Sequence, residues 1–473
     1  RDVHSHEKDV LMAAVLPNGR NYFASATGAP LVGGKLYTYV PGTSTPKATY
    51  TTSSASVANT NPVILNSRGE ANIYWVGAYD VVLKDASDAT IWGPERVEEP
   101  ATDAAFDTFV ADLADTSSIA KGDALIGVKR NIGSAVGRTL HSWIEGQPIT
   151  PQDFGAPANG TDDDAPAINS AIAFLKTRSD KGGRLYFPAG TYRLNSGLTI
   201  TDSHGLHFIG EVPSYTAGFE GSATRIKFYG SGSAITLSGV IADQSAFRFE
   251  NINLDNTGNP GTHNGIVVSA VGFTAGLEVV NCSIRNFSSG VYAVTGSATS
   301  YQHYENSAFY ENATWGVAAE GDNIRVEGCV FSNNGPDHTT GTNAFDESLI
   351  GGGLLLEGVT TAAAVYGACV FEGHRVGIHI RTSLGVSITG NYFEAHSKCA
   401  IQAINVYGLN IGGNYYNPFT EAHTIVLKNC AAVSVKNSAY GQSVYQIGVT
   451  DYEFSGCKVY NIDSTLNRSV NDE

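Results

Sequence analysis

Apolar and polar residues alternate along most of this chain, and Gly or Asn interrupts the alternation at regular intervals. The segments "NCSIRNFSSGVY", "NSAFYENATWGVA", "GCVFSNN", "ACVFEGHRVGIHI", "GNYFEAHSKCAIQA" and "GNYYNPF" share one layout. Their apolar anchors are Ile284, Phe309, Phe331, Phe371, Phe393 and Tyr416, about 22 to 25 residues apart except for one step of about 40. A second anchor follows each, at Gly290-Val291, Gly316-Val317, Gly353-Leu354, Gly377-Ile378, Ala400-Ile401 and Thr424-Ile425. A β-rich unit of this length without helical segments predicts one coil of an all-β parallel solenoid. From Gly183 to Tyr460 the period predicts roughly 11 or 12 coils. Gly and Asn fall at the corners, where left-handed backbone is tolerated.

The same register orders the cysteines. Two residues before the anchors stand Cys282, Ser307, Cys329, Cys369, Asn391, Asn414, Ser438 and Cys457, which predicts one inward column of small residues. Cys there acts as a small apolar group. The chain has six Cys, an even number that leaves disulfides open, but none stands in a CxxC pair of the kind that binds zinc.

The pattern differs ahead of the coils. Residues 1–11 read as a tag or upstream remnant. Residues 12–100 read as a small β domain: "GGKLYTYVPGTSTPKATYT" alternates around Pro-Gly, and "AYDVVLKDASDATIWG" predicts a hairpin turning near Ala86–Asp88. Residues 101–149 form a neck in which Phe106, Phe109, Val110 and Leu113 recur at helical spacing, either to pack on symmetry mates or to lie on their own domain. Residues 150–463 hold the solenoid and 464–473 a tail. At its head, Asp164 followed by Pro166 predicts a helix over about 163–177 with Ile168, Ile172 and Leu175 on one face. Asp162, Asp163 and Asp164 then sit at a helix N-terminus, where capping competes with a metal or catalytic role.

Only 16% of residues are charged, Gly numbers 53, and the formal net charge is −16. That balance suits a turn-rich β protein and argues against a nucleic-acid or anionic-membrane partner. No apolar run is long enough to span a bilayer.

"ITPQDFGAPANGTDDDAPAINSAI", "GGRLYFPAGTYRLNSGLTI" and "LHFIGE" together resemble the opening motif of the pectate-lyase-like right-handed parallel β-helix superfamily, to which bacteriophage tailspikes belong. "LPNGRNYFASATGAPLVGGKLYTYVPGTSTPKATYTTSS" and "LADTSSIAKGDALIGVKRNIGSAVG" resemble the virion-attachment region and linker of tailspike depolymerases. The resemblance implies a homotrimer located on the virion, attached through its N-terminal domain to the phage tail, baseplate or another tailspike. It implies that the shaft binds, and usually cuts, bacterial surface polysaccharide: capsule, exopolysaccharide or O-antigen. No cofactor or metal is expected, and no catalytic residue transfers by motif.

Glycoside hydrolysis needs two carboxyl groups, about 5–5.5 Å apart for retention and about 6.5–9.5 Å for inversion. Adjacent coils, about 4.8 Å apart, supply the first spacing. One column holds Glu320, Glu357 and Arg381, with His379 on the same face; Arg381 would keep Glu357 ionised beside a protonated Glu320. A second column holds Glu372 and Glu394, with His374 and His396 repeating in "FEGH" and "FEAH". The long step contains Asp337, His338, Asp346 and Glu347 in an insertion that leads to the Glu357 coil, and Asp346 or Glu347 is the expected helper. Among the aromatics, Tyr310 and Trp315 fall outside the inward anchors and are the expected sugar-stacking residues. Three readings follow: an endo-glycosidase, a polysaccharide lyase using Tyr310, His379 or Arg381, and a fibre that adheres without cutting.

Overall fold

A computed structural model describes residues 18–97, 103–178, 182–201, 205–211, 223–238, 247–268, 276–293, 301–336, 351–417, 423–436, 443–455, 458–462 and 469–471. The chain divides into two compact units, one up to Gln147 and one from Pro148.

In the first unit, strands Lys35–Tyr39, Val63–Ile64, Tyr79–Lys84 and Thr90–Val97 form an antiparallel sheet. The expected hairpin is present. Its turn closes because Asp85 accepts bonds from the Ser87 and Ala89 N–H groups, both at 2.9 Å, while Asp88 takes a left-handed φ of 70°. Leu36, Ile73, Trp75, Tyr79, Val81 and Leu83 supply the core. Helix α1, Asp103–Ala114, follows at the predicted place. Its Phe106, Phe109, Val110 and Leu113 remain exposed, at 65%, 53%, 46% and 37%, so the stripe does not lie on its own unit.

The second unit is a right-handed parallel β-helix. Each turn of the chain up to Tyr416 visits three sheets in fixed order, and the described strands beyond it belong to two of them. Sheet 1 begins at Gly183–Phe187, sheet 2 continues from Gly190–Leu194, and sheet 3 from Leu198–Thr201. Sheet 1 gathers eleven strands among the described residues, in line with the expected coil number. The first anchors share one register column of sheet 2 and the second anchors one column of sheet 3. Phe309, Phe331, Phe371, Phe393 and Tyr416 stack ring on ring at 5.1, 4.7, 5.1 and 5.2 Å, adding aromatic attraction to the burial of each ring.

The inward column is a hydrogen-bonded ladder. Cys282 N–H donates to Ser307 Oγ, Cys329 N–H to Cys369 Sγ, Cys369 N–H to Asn391 Oδ1, and Asn391 N–H to Asn414 Oδ1. Each side chain thus satisfies a backbone donor of the preceding coil that a tight corner would otherwise orphan. The five described cysteines, Cys282, Cys329, Cys369, Cys399 and Cys430, are free and buried. Ser438 and Cys457 lie outside the described residues.

Helix α2, Ala165–Thr177, closes the first coil with Ala165, Ile168, Ala171, Ile172 and Leu175 buried against Leu185 and Leu198. Asp164 occupies the N-cap position but makes no capping bond, contrary to expectation. Its carboxyl faces inward and accepts from Ala158 N–H at 2.9 Å and Arg193 N–H at 2.8 Å, pinning the pre-helix loop to the first coil. Burial raises its pKa, partly offset by backbone hydrogen bonds. The neighbouring Asp163 accepts from Ala165 N–H, the first donor of the helix, and from Asn195 N–H. Asp162 accepts from the Asn159 side chain. No group of three or more His, Cys, Asp or Glu suited to a metal occurs among the described residues.

Candidate functional site

The side chains facing out from sheet 3 come from strands Trp315–Glu320, Gly352–Glu357, Val376–Arg381 and Cys399–Ile404. Val317 and Ala319, Leu354 and Leu356, and Ile378 and Ile380 belong to the core. The residues between them therefore point outward by the period of two. Glu320, Glu357 and Arg381 occupy one register column on three successive coils. The Glu357 carboxylate accepts from Arg381 Nε at 2.6 Å, and Arg381 Nη2 closes the pair on the same oxygen. Both partners remain partly open to solvent, with side-chain exposures of 23% for Glu357 and 41% for Arg381.

One column along on the same face lie Tyr292, Ala318, Leu355, His379 and Gln402. Trp315 packs with Ala318 and Leu355, and Tyr292 packs against all three. The His379 ring stands 6.1 Å from the Trp315 ring at a 47° tilt. Trp315 is outward from the coil, as expected, yet only 5% exposed, and His379 is 1% exposed. Burial pushes the His379 imidazole down to about 3, with Arg381 and Lys398 acting in the same direction.

Sheet 2 carries the second expected column. Arg285, Tyr310, Ser332, Glu372 and Glu394 follow one another in register. Tyr310 and Trp315 therefore stand on different sheets. Both Glu394 oxygens are occupied, one by Tyr392 Oη at 2.8 Å and one by Asn417 Nδ2 at 2.7 Å. The bond to Glu394 raises the Tyr392 pKa. Tyr392 also stacks on Tyr415 at 5.3 Å. The sequence reading missed Tyr392 and Asn417, although Tyr392 stands two residues before Glu394, on the same strand face.

His374 and His396 do not lie beneath that column on the surface. They are buried, stacked on each other at 5.6 Å, in the corner between sheets 2 and 3. They continue a second ladder, in which Asn334 Oδ1 accepts from Asn312 N–H and the Asn334 N–H approaches His374 Nδ1 at 3.1 Å. Gly373, with φ of 69°, turns the chain so that the third residue after Phe371 points inward again. Asp346 and Glu347, with Asp337 and His338, lie outside the described residues.

Residues 150–351 match the family model of rhamnogalacturonase A/epimerase, pectate lyase-like. A tail spike protein of Shigella phage Sf6 is 29% identical over 147 residues, which is 30% of this chain and 22% of that protein. A protein of Klebsiella phage K5-2 named depolymerase 1, capsule K30/K69-specific, is 25% identical over 223 residues, covering 44% of this chain and 26% of its own. The matched regions thus span about a quarter of the length of these two relatives. Among solved structures, tailspike protein 3 of bacteriophage CBA120 covers 94% of this chain and 77% of its own, at 14% identity and a TM-score of 0.42. No described helix is long and apolar enough to cross a membrane.

Proposed function

We propose that this chain belongs to a phage tailspike whose β-helix binds and cleaves a bacterial surface polysaccharide by endo-glycoside hydrolysis. The observation that carries this reading is the outward pair Glu320 and Glu357 on adjacent coils, with Arg381 bound to Glu357. Adjacent strands are about 4.8 Å apart, close to the roughly 5–5.5 Å that retaining glycosidases use between nucleophile and acid. Glu357, bound by the Arg381 guanidinium, is assigned as nucleophile. Glu320 is assigned as the acid that protonates the leaving oxygen and then, as base, activates the water that releases the sugar. The name of the Klebsiella phage relative, a capsule-specific depolymerase, supports a polysaccharide substrate. The exposed apolar stripe of α1 supports a homotrimer, and attachment to the tail through the first unit completes the reading.

The paired acids favour hydrolysis over a lyase step, which removes one proton and leaves a double bond. The Glu372/Glu394 column is left out because both Glu394 oxygens are taken by Tyr392 and Asn417. The test incubates purified protein with capsule and lipopolysaccharide from susceptible hosts, following polymer length, reducing ends and the ultraviolet absorbance of an unsaturated product. Glu320→Gln and Glu357→Gln are expected to lose roughly 100-fold or more in rate while staying folded. Glu394→Gln is expected to keep cleaving. Cleavage unchanged by the first two variants removes the site. An unsaturated product removes the hydrolytic mechanism, and binding without shortening leaves an adhesin.

A further inference from the structure

Sheet 1 turns a polar face to solvent, whereas Ala318, Leu355 and His379 on the outer side of sheet 3 are buried. In its strands Tyr301–Glu305, Asn323–Glu327 and Ala362–Tyr366, the core takes Tyr304, Ile324, Val326, Ala363 and Val365. Tyr301, His303, Glu305, Arg325, Glu327 and Tyr366 therefore point outward. Arg325 is exposed and the other five are half-buried. Glu305, Glu327 and Tyr366 occupy one register column on three successive coils. Two carboxylates thus stand one strand spacing apart, about 4.8 Å. Tyr366 Oη donates to Glu327 Oε2 at 2.9 Å, and His303 Nε2 stops 4.0 Å short of the same oxygen. The Glu305 carboxyl and the Arg325 guanidinium make no hydrogen bond or ion pair among the described residues. Like charges side by side on neighbouring strands weaken a sheet. This face neutralises its acids elsewhere: two coils earlier, Arg248 binds both Glu250 at 2.9 Å and Glu278 at 2.6 Å. At Glu305 it does not, and the fold gains nothing from that carboxyl. Sites that break a local rule without structural gain are the ones where function is expected.

We infer that the Glu305–Glu327–Tyr366 column is a second saccharide site, which holds the polysaccharide on sheet 1 while the sheet 3 pair cuts it, an inference that rests on the polysaccharide reading above. Unneutralised carboxylates are strong acceptors for sugar hydroxyls, and a free guanidinium offers donors to the ring and hydroxyl oxygens. The Tyr301 ring, two positions along the face from His303 with centroids 6.1 Å apart, offers an aromatic surface to the apolar side of a sugar. A divalent cation lacks ligands here, since no group of three or more His, Cys, Asp or Glu among the described residues is arranged to hold one. The Glu327 side chain is 40% exposed against 23% for Glu357, and this more open setting suits holding rather than cleavage, which gains from excluding water. A repetitive polymer can engage both sheets at once, so each contact raises the effective concentration of the other.

The experiment compares wild type, Glu305→Ala, Glu327→Ala and Glu305→Gln. The probe is polysaccharide purified from a host strain that the wild-type protein binds or cuts. Binding is read by titration calorimetry in the Glu357→Gln background, so that it does not depend on turnover; cleavage is read as kcat and KM, and assembly by sedimentation. Both alanine variants are expected to bind the long polymer about tenfold more weakly and to raise its KM by a similar factor, with kcat retained. Glu305→Gln, which keeps an acceptor and loses the repulsion, is expected to recover part of the binding and to melt at an equal or higher temperature than wild type. Unchanged binding and KM in both alanine variants overturn the inference, and are the result a merely solvated face would give. A lower melting temperature in Glu305→Gln also overturns it, by showing that the carboxyl serves the fold. So does altered sedimentation of the alanine variants, which would make this face a contact between chains, and so does a fall in kcat at unchanged KM, which would make the column catalytic. A wild-type protein that neither binds nor cuts any host polysaccharide removes the proposed function and this site with it. One that binds without cutting removes only the hydrolytic reading, and the calorimetry then decides the role of Glu305 and Glu327.

Discussion

The inward ladder makes a graded prediction at Asn391, a residue only 2% exposed. Its Oδ1 accepts from Cys369 N–H at 3.2 Å, and its Nδ2 donates to Val365 O at 2.9 Å and to Asn414 Oδ1 at 3.2 Å. Asn391→Ala strips the side-chain acceptor from a buried backbone donor, at about 1–3 kcal/mol, and removes at least one further bond worth about 1 kcal/mol net. The sum is about 2–4 kcal/mol. Asn391→Ser should cost only about 1 kcal/mol, because a hydroxyl can keep the acceptor. The molecule itself uses that solution two rungs above Cys369, where Ser307 Oγ accepts from Cys282 N–H at 3.0 Å. Equilibrium unfolding in guanidinium, followed by circular dichroism, gives the ranking, and amide exchange at Cys369 gives the local effect. The reasoning is refuted if Asn391→Ala falls within about 0.5 kcal/mol of wild type, the range of an ordinary surface substitution, or if serine is no better than alanine.

Three further outcomes follow from the same architecture. Phe371→Ala, which removes a ring stacked at 4.7 and 5.1 Å on its neighbours, should cost about 3–5 kcal/mol in chemical denaturation, and Phe371→Leu much less. Asp164→Ala should destabilise by about 2–5 kcal/mol, since two buried backbone donors lose their acceptor, whereas Asp164→Asn keeps an oxygen and should cost less in the same assay. Burial pushes the Cys282 and Cys399 thiols up to about 12 and Cys369 to about 11, so a disulfide reagent should label none of them until the chain unfolds. Because unfolded thiols lose protons first, stability should fall as the pH rises from 9 toward 12, and melting curves across that range check the sign.

The coils were legible because two apolar anchors recur in phase, and these anchors set the register of sheets 2 and 3; sheet 1 carries neither anchor and was not read from them. The corners were harder to read. Strict alternation places the third residue after Phe371 and Phe393 on the surface, and so predicts His374 and His396 as ligands for sugar. The left-handed turn at Gly373, and at Ala395 with φ of 54°, sends both rings inward. Asp164 had the sequence of a helix cap, but a neighbouring coil offered its carboxyl two backbone donors that no local pattern records. At the candidate site, the column of Glu320, Glu357 and Arg381 could be counted from the repeat. The burial of His379 could not, since it depends on what surrounds the ring in three dimensions.

The Cys369–Asn391–Asn414 run has a consequence for how such a shaft can change length. Each junction joins a backbone donor to a side-chain acceptor of the next coil, and the Phe371, Phe393 and Tyr416 rings abut in the same order. Removal of residues 391–413 would bring Asn414 beneath Cys369, which is the pairing Asn391 makes now. The molecule would be shorter by one step of about 4.8 Å, with this rung and the ring stack still matched. Reach is therefore adjustable in whole-coil increments on the C-terminal side of Glu320, Glu357 and Arg381, leaving that column untouched.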